Sequence, residues 1–178
     1  DVCSSDLANR IQELPRRPLG AGEAGIRFSL AGAQDKIPLH REGSNLSLPL
    51  GSAISTHILK PANTRLPGIV HNEALCMDLA RKMGIPTAKA EIGYCLGHEY
   101  LLVERYDRTR EADGALRRLH QEDFCQALGI VADHKYQDEG GPTLQNCFQL
   151  VREVSAQPSK DLLALLDADR KSTRLNSS

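Results

Sequence analysis

Alternating apolar and polar positions dominate the first half of the chain, and helical spacing dominates the second. Ile26-Arg27-Phe28-Ser29-Leu30 alternates as a strand does, after a turn-rich lead-in from Pro15 to Gly25, and small residues at Ala31 to Ala33 predict a loop behind it. Ile37 to His40 and Leu46 to Leu48 alternate again around Glu42-Gly43-Ser44-Asn45, which predicts a hairpin with Pro38 at an edge. Thr56 to Lys60 predicts one more strand, stopped by Pro61. From Asn72 to Met83 the period lengthens: Leu75, Cys76, Leu79, Ala80 and Met83 share one helical face, and Gly84 and Pro86 end the run. Ala90 to Tyr94 and Tyr100 to Tyr106 return to strand character, and Asp113-Gly114 turns the chain within a charged excursion. Three helices are then predicted: Gln121 to Leu128, closed by Gly129; one marked by Leu144, Cys147, Phe148, Val151 and Val154; and one capped by Ser159 carrying Leu162 to Leu166. Strands, helix, strands and then helices predict an α+β enzyme fold of two lobes, a twisted antiparallel sheet with its helix followed by the start of a helical lobe.

Composition narrows the function. Among 178 residues, 22 Lys and Arg face 23 Asp and Glu, so the net charge of -1 offers no basic field to gather nucleic-acid phosphates. Aromatic content of 4% without Trp leaves few stacking platforms for bases. The longest apolar run, Leu162 to Leu166, is too short for a bilayer, so a cytoplasmic protein without membrane contact is expected. Cys3, Cys76, Cys95, Cys125 and Cys147 show no zinc-ligand spacing, which predicts free thiols, with Cys76, Cys125 and Cys147 buried on helix faces. The ends, 1–7 and 171–178, are polar and unpatterned and resemble translated sequencing-adapter reads. Setting them aside leaves a sheet-bearing part at 8–106 and the truncated start of a helical lobe at 107–170, with the natural chain expected to continue on both sides.

Three places could carry chemistry. Gly20-x-Gly22-x-x-Gly25 matches a dinucleotide fingerprint, but prolines precede it and no helix opens behind it, so it fails its context. Ala31-Gly32-Ala33-Gln34-Asp35-Lys36 does follow a predicted strand, and its amides could form an anion nest; taken alone, such a segment is a tight turn more often than a phosphate cradle. Lys60, at the end of a strand, could reach nucleotide phosphates if Glu73, on the core side of the next helix, held its ammonium. An ordinary surface pair would look the same. Glu104, Arg105 and Tyr106 stand where an apolar strand turns charged, as a nucleotide hinge does, although Glu104, Arg105, Asp107 and Arg108 also read as a solvated charge run.

In combination these pieces resemble the HipA family of toxin-antitoxin serine/threonine kinases. The resemblance covers nearly everything from Leu14 to Arg170 and rests on Ser29 to Lys36, Thr56 to Pro61, Asn72-Glu73, Val103 to Arg108, Gln121 to Gln126, and Lys135-Tyr136 with Gly140 to Pro142. It implies a phosphate loop at Ala31 to Lys36, an ATP-contacting lysine at Lys60, an adenine-contacting hinge at Glu104 to Tyr106, and autophosphorylation at Ser29. It implies ATP with Mg²⁺ as cofactors, a protein serine or threonine as substrate, and a small helix-turn-helix antitoxin of the HipB type as partner, with DNA met only through that antitoxin. The family's catalytic and metal-binding aspartates are expected beyond Arg170, so no catalytic residue and no metal ligand is assigned here. The competing expectation is a non-catalytic module that engages an antitoxin-type repressor through its sheet.

Overall fold

A computed structural model describes residues 5–13, 35–49, 51–63, 65–131, 134 and 136–175. The expected strand at Ile26 to Leu30, Ser29 within it, and Ala31 to Gln34 lie outside the described residues. The chain divides into two units, Asp1–Leu119 and His120–Ser178.

The first unit is built on a five-stranded antiparallel sheet. Its strands are β1 (Ile37–Glu42), β2 (Asn45–Ser47), β3 (His57–Pro61), β4 (Ala90–Cys95) and β5 (His98–Glu104), in the order β2-β1-β3-β5-β4. The 37–48 hairpin forms as its alternation predicts, turning at Gly43 with φ 60°. β2 pairs only with the far end of β1, so at Pro38 that strand has a neighbour on one side and the missing N–H costs no ladder bond. β4 and β5 are joined by Leu96-Gly97, both at positive φ (45° and 85°), the tight left-handed turn that matches strand twist.

Side chains on the two sheet faces meet different helices. Helix α1 (Ser5–Glu13) buries Leu7, Ala8 and Ile11 with Ile37, Leu39, Leu59, Cys95, Tyr100 and Leu102. Leu7, set aside in the sequence as unpatterned, is thus a core residue. Leu101 alternates with Leu102 and faces the other way; it is fully buried, as is Val70 of helix α2 (Ile69–Lys82), which packs on β4 and β5.

α2 departs from expectation in two respects. It starts three residues before Asn72, from Gly68 at φ 78° and without a side-chain cap. Its sheet-facing residues are Val70, Glu73, Ala74 and Met77, whereas Leu75, Cys76 and Leu79, expected in the core, are exposed. The helix carries apolar residues on two faces, and counting periodicity selects the richer one. Cysteines differ too: Cys125 and Cys147 are half-buried free thiols, Cys76 is exposed, and Cys95 is disulfide-bonded rather than free.

A second hairpin, β6 (Arg108–Arg110) and β7 (Leu116–Arg118), turns at Asp113-Gly114 as expected, although its two arms were not foreseen as strands. In the second unit α3 (Phe124–Ala127) is shorter than predicted and opens on an Asp123/Gln126 capping box, ending at Gly129 with φ 68°. α4 (Leu144–Val154) opens on a Thr143/Asn146 box and packs on α5. α5 (Pro158–Leu175) starts with Pro158 in its first turn, so Ser159 is not its cap, and it runs well past Leu166. No described residue of this unit is buried, and Val131, Val154 and Leu163 are mostly exposed. Among the described residues no helix is long and apolar enough to cross a membrane.

His57, at the start of β3, gives the first unit a pH dependence. Burial lowers its imidazole below the ordinary 6.5, Arg41 and His40 lower it further, and Glu104 and Glu91 only partly oppose this. Below pH about 6.5 the unfolded chain therefore takes up a proton that the folded one resists, so stability is full above that value and falls as pH drops through it. Thermal melts from pH 8 to 5.5 should show the loss, and His57→Gln should flatten it; an identical slope in both proteins would refute the assignment.

Candidate functional site

Lys60 lies on the α2 side of the sheet because it alternates with buried Leu59 on β3 and pairs with Leu101 on β5. Its ammonium donates to Glu73 Oε1 on α2, with both side chains only about a quarter exposed (24% and 25%). A second pin fixes the same helix: His71 Nε2 lies 2.7 Å from Glu99 Oε1, the carboxylate that also accepts from the Tyr94 hydroxyl at 2.8 Å. The lysine head is therefore held between strand and helix. Ile58 shares its sheet face two residues earlier, opposite Val103, and adds an apolar floor beside it.

Of the expected phosphate loop, Asp35 and Lys36 are described. Both are half-buried and lead directly into β1, whose first residue, Ile37, pairs with Leu59. Lys36 thus comes off the sheet at the strand next to Lys60.

At the far end of β5 the backbone changes role. The Glu104 N–H donates to the Lys89 carbonyl (2.8 Å) and the Arg105 N–H to the Thr56 carbonyl (2.9 Å). That second bond makes His57 and Glu104 a non-hydrogen-bonded pair of the β3/β5 ladder, so β3 does not use the Glu104 carbonyl. Among the described residues, neither that carbonyl nor the Tyr106 N–H meets a backbone partner. The Glu104 carboxylate is half-exposed, 3.7 Å from Lys89 Nζ, and the Tyr106 ring is 73% exposed.

Arg105 does not offer its side chain to a ligand. Its guanidinium grips Asp107 in a fork, Nε to Oδ1 at 2.9 Å and NH2 to Oδ2 at 2.7 Å. Arg108 closes on the same carboxylate from 2.8 Å, donates through Nε to the Ser55 carbonyl (2.6 Å), and reaches Ser55 Oγ at 3.3 Å. All three charged side chains are nearly buried, at 11%, 9% and 8% exposure. Burial pushes the Asp107 carboxyl up, but the Arg105 hydrogen bonds and the two guanidinium charges outweigh it and hold the group below the usual carboxylate range. Sequence reasoning missed Ser55, Asp107 and Arg108; the one available signal was the two-residue spacing of Arg105 and Asp107, which shares a face in extended chain.

A shallow cavity of about 230 Å³ lies in the same unit between His40, Ser47, Leu48, Pro49, Ala53, Ile54 and Leu116. It is smaller than the roughly 300 Å³ that small-molecule sites begin at. Among the described residues no cluster of three His, Cys, Asp or Glu could hold a metal ion.

Comparison with known proteins bears on this arrangement. A family model described as HipA-like C-terminal domain matches residues 28–170. The chain is 52% identical over 158 residues to a Sinorhizobium fredii protein named "Putative kinase Y4mE", covering 89% of this chain and 38% of that one. It is 33% identical over 142 residues to the serine/threonine-protein kinase toxin HipA of Shewanella oneidensis, covering 79% of this chain and 32% of the toxin. It therefore spans well under half the length of these curated relatives. Among solved structures it superposes with TM-score 0.64 and 28% identity on a chain of the Shewanella oneidensis toxin-antitoxin complex of HipA, HipB and operator DNA, covering 92% of this chain and 40% of that one.

Proposed function

The chain belongs to the family of HipA-like C-terminal domains, and from that premise we propose that it is the ATP-binding part of a serine/threonine protein kinase. One observation carries the reading: a lysine held by a helix carboxylate sits on the same sheet as a strand end whose Glu104 carbonyl and Tyr106 N–H are unspent. Adenine presents an amino donor beside a ring acceptor, which complements a carbonyl and an N–H two residues apart. Guanine presents the reverse order on that edge. Lys60 would meet the phosphates, with Glu73 orienting it, and Ala31 to Lys36 would wrap them. Magnesium would neutralise charge on the phosphates, and its ligands would come mainly from outside this chain.

The acceptor would be a serine or threonine of a protein, and the catalytic aspartate would stand beyond Arg170. Ser29 would be the site of self-phosphorylation; a charge of about -2 there would repel the nucleotide phosphates and open the loop. The match to HipA in a complex with HipB and DNA supports a small helix-turn-helix repressor as partner, with DNA reached through it.

The test is a direct titration of the purified chain with ATP and with GTP. ATP should bind, raise the melting temperature with concentration, and be preferred over GTP. Equal binding of both nucleotides, or none at millimolar concentration, would sink the reading.

A further inference from the structure

We infer that the buried Arg105, Asp107 and Arg108 network is the positioning device of the hinge, setting how the Glu104 carbonyl and Tyr106 N–H face an adenine while touching no nucleotide itself. The inference rests on the nucleotide reading above and adds residues to it.

The segment 104–108 is too short and polar to be held by packing. Tyr106 at its apex is 73% exposed and contributes no core contact that would fix the backbone. What fixes it is charge. The fork from Arg105 to Asp107 spans the apex and closes the loop on itself. Arg108 ties that closed loop to Ser55, two residues before β3 and five before Lys60. The Arg105 N–H bonds to Thr56 and the Asp107 carbonyl accepts from the Leu119 N–H at 3.0 Å, so both neighbouring segments are anchored to the same turn. The hinge and the segment leading into the strand that carries Lys60 are thereby tied together.

The arrangement is also the costly kind to build by accident. Two guanidiniums beside one nearly buried carboxylate leave a net positive charge that the carbonyl and hydroxyl of Ser55 and the Asp107 carbonyl further satisfy. A surface charge run would leave these side chains in water. Two hydrogen bonds to a base edge are sensitive to shifts of a few tenths of an ångström, so loss of the fork should blunt base recognition before it affects phosphate contacts.

The experiment measures ATP and GTP affinity of the whole chain in wild type, Asp107→Asn and Arg105→Lys, with circular-dichroism melts to confirm folding. Asp107→Asn should weaken ATP binding roughly tenfold and collapse the preference for ATP over GTP, because GTP never used the hinge pair. Arg105→Lys keeps the charge and loses the fork, and it should shift the preference in the same direction; it carries the test by itself if Asp107→Asn does not fold. Unchanged ATP preference in folded variants, or an equal loss for both nucleotides, overturns the inference while leaving the nucleotide reading intact. Wild type without any preference for ATP instead defeats the nucleotide reading, and the positioning role falls with it.

Discussion

Lys60→Ala is expected to weaken ATP and GTP binding alike by roughly ten- to a hundredfold, the consequence of deleting a charge-assisted contact of about 1.5–3 kcal/mol to phosphate. The size follows from how the ammonium is held. A free surface lysine would spend side-chain entropy on reaching a ligand, whereas this one is already fixed against Glu73 with only a quarter of its side chain exposed. Glu73→Gln should cost less than Lys60→Ala, because it removes the orienting charge but keeps the ammonium. In the double variant the two losses should fall short of additive, since Glu73 has nothing to orient once Lys60 is gone. Lys60→Met retains the apolar stem and separates loss of charge from loss of packing. Unchanged affinity in Lys60→Ala, or strict additivity with Glu73→Gln, would dismiss the pair as a surface contact. The response of both nucleotides also separates this residue from Asp107, whose replacement should affect ATP chiefly.

The fold was legible where one face of an element is buried and the other is not. The 37–48 hairpin follows from alternation because α1 covers one face of its sheet, and β4 because α2 covers the face that Ala90 and Ile92 share with Leu101; in both the pattern records the burial. α2 was legible as a helix but not in its start or its buried side: Gly68 caps it by conformation rather than by a side chain, and its second apolar stripe at Leu75 and Leu79 points away from the sheet. β6 and β7 were illegible because Arg-Thr-Arg and Leu-Arg-Arg contain almost no apolar signal; cross-strand backbone pairing makes them strands. At the site, Lys60 and Glu73 could be paired on paper because strand and helix periods place them on facing sides. The Arg105, Asp107 and Arg108 network could not, since a buried ion cluster and a solvated charge run are written with the same residues and differ only in desolvation.

Gly93→Ala should destabilise the first unit by about 1–3 kcal/mol and lower its melting temperature by several degrees, by roughly 4–8 °C per kcal/mol for a unit of this size. The usual sign of such a change is the opposite. Away from positive φ, Gly to Ala restricts the unfolded chain and stabilises by about 0.4–1 kcal/mol, and the left-handed glycines of this protein do not include Gly93. Space reverses the sign. Gly93 stands directly across from Tyr100 in the β4/β5 ladder, and a Cβ there would fall 2.5 Å from the ring's Cε2 and 2.6 Å from its hydroxyl oxygen. Such approaches are below what real Cβ atoms tolerate, so the ring must move. It has little freedom to do so: Tyr100 is 4% exposed and belongs to the cluster that α1 closes with Leu7, Ala8 and Ile11. Swinging the ring out would uncover that cluster, while keeping it in place would bend the edge strand β4. The discriminating measurement is the same substitution in a Tyr100→Leu background. With the ring gone, Gly93→Ala should become neutral or mildly stabilising; a loss that persists there would place its origin in the backbone, and an unchanged melting temperature in the Tyr100 protein would show that the ring is not confined.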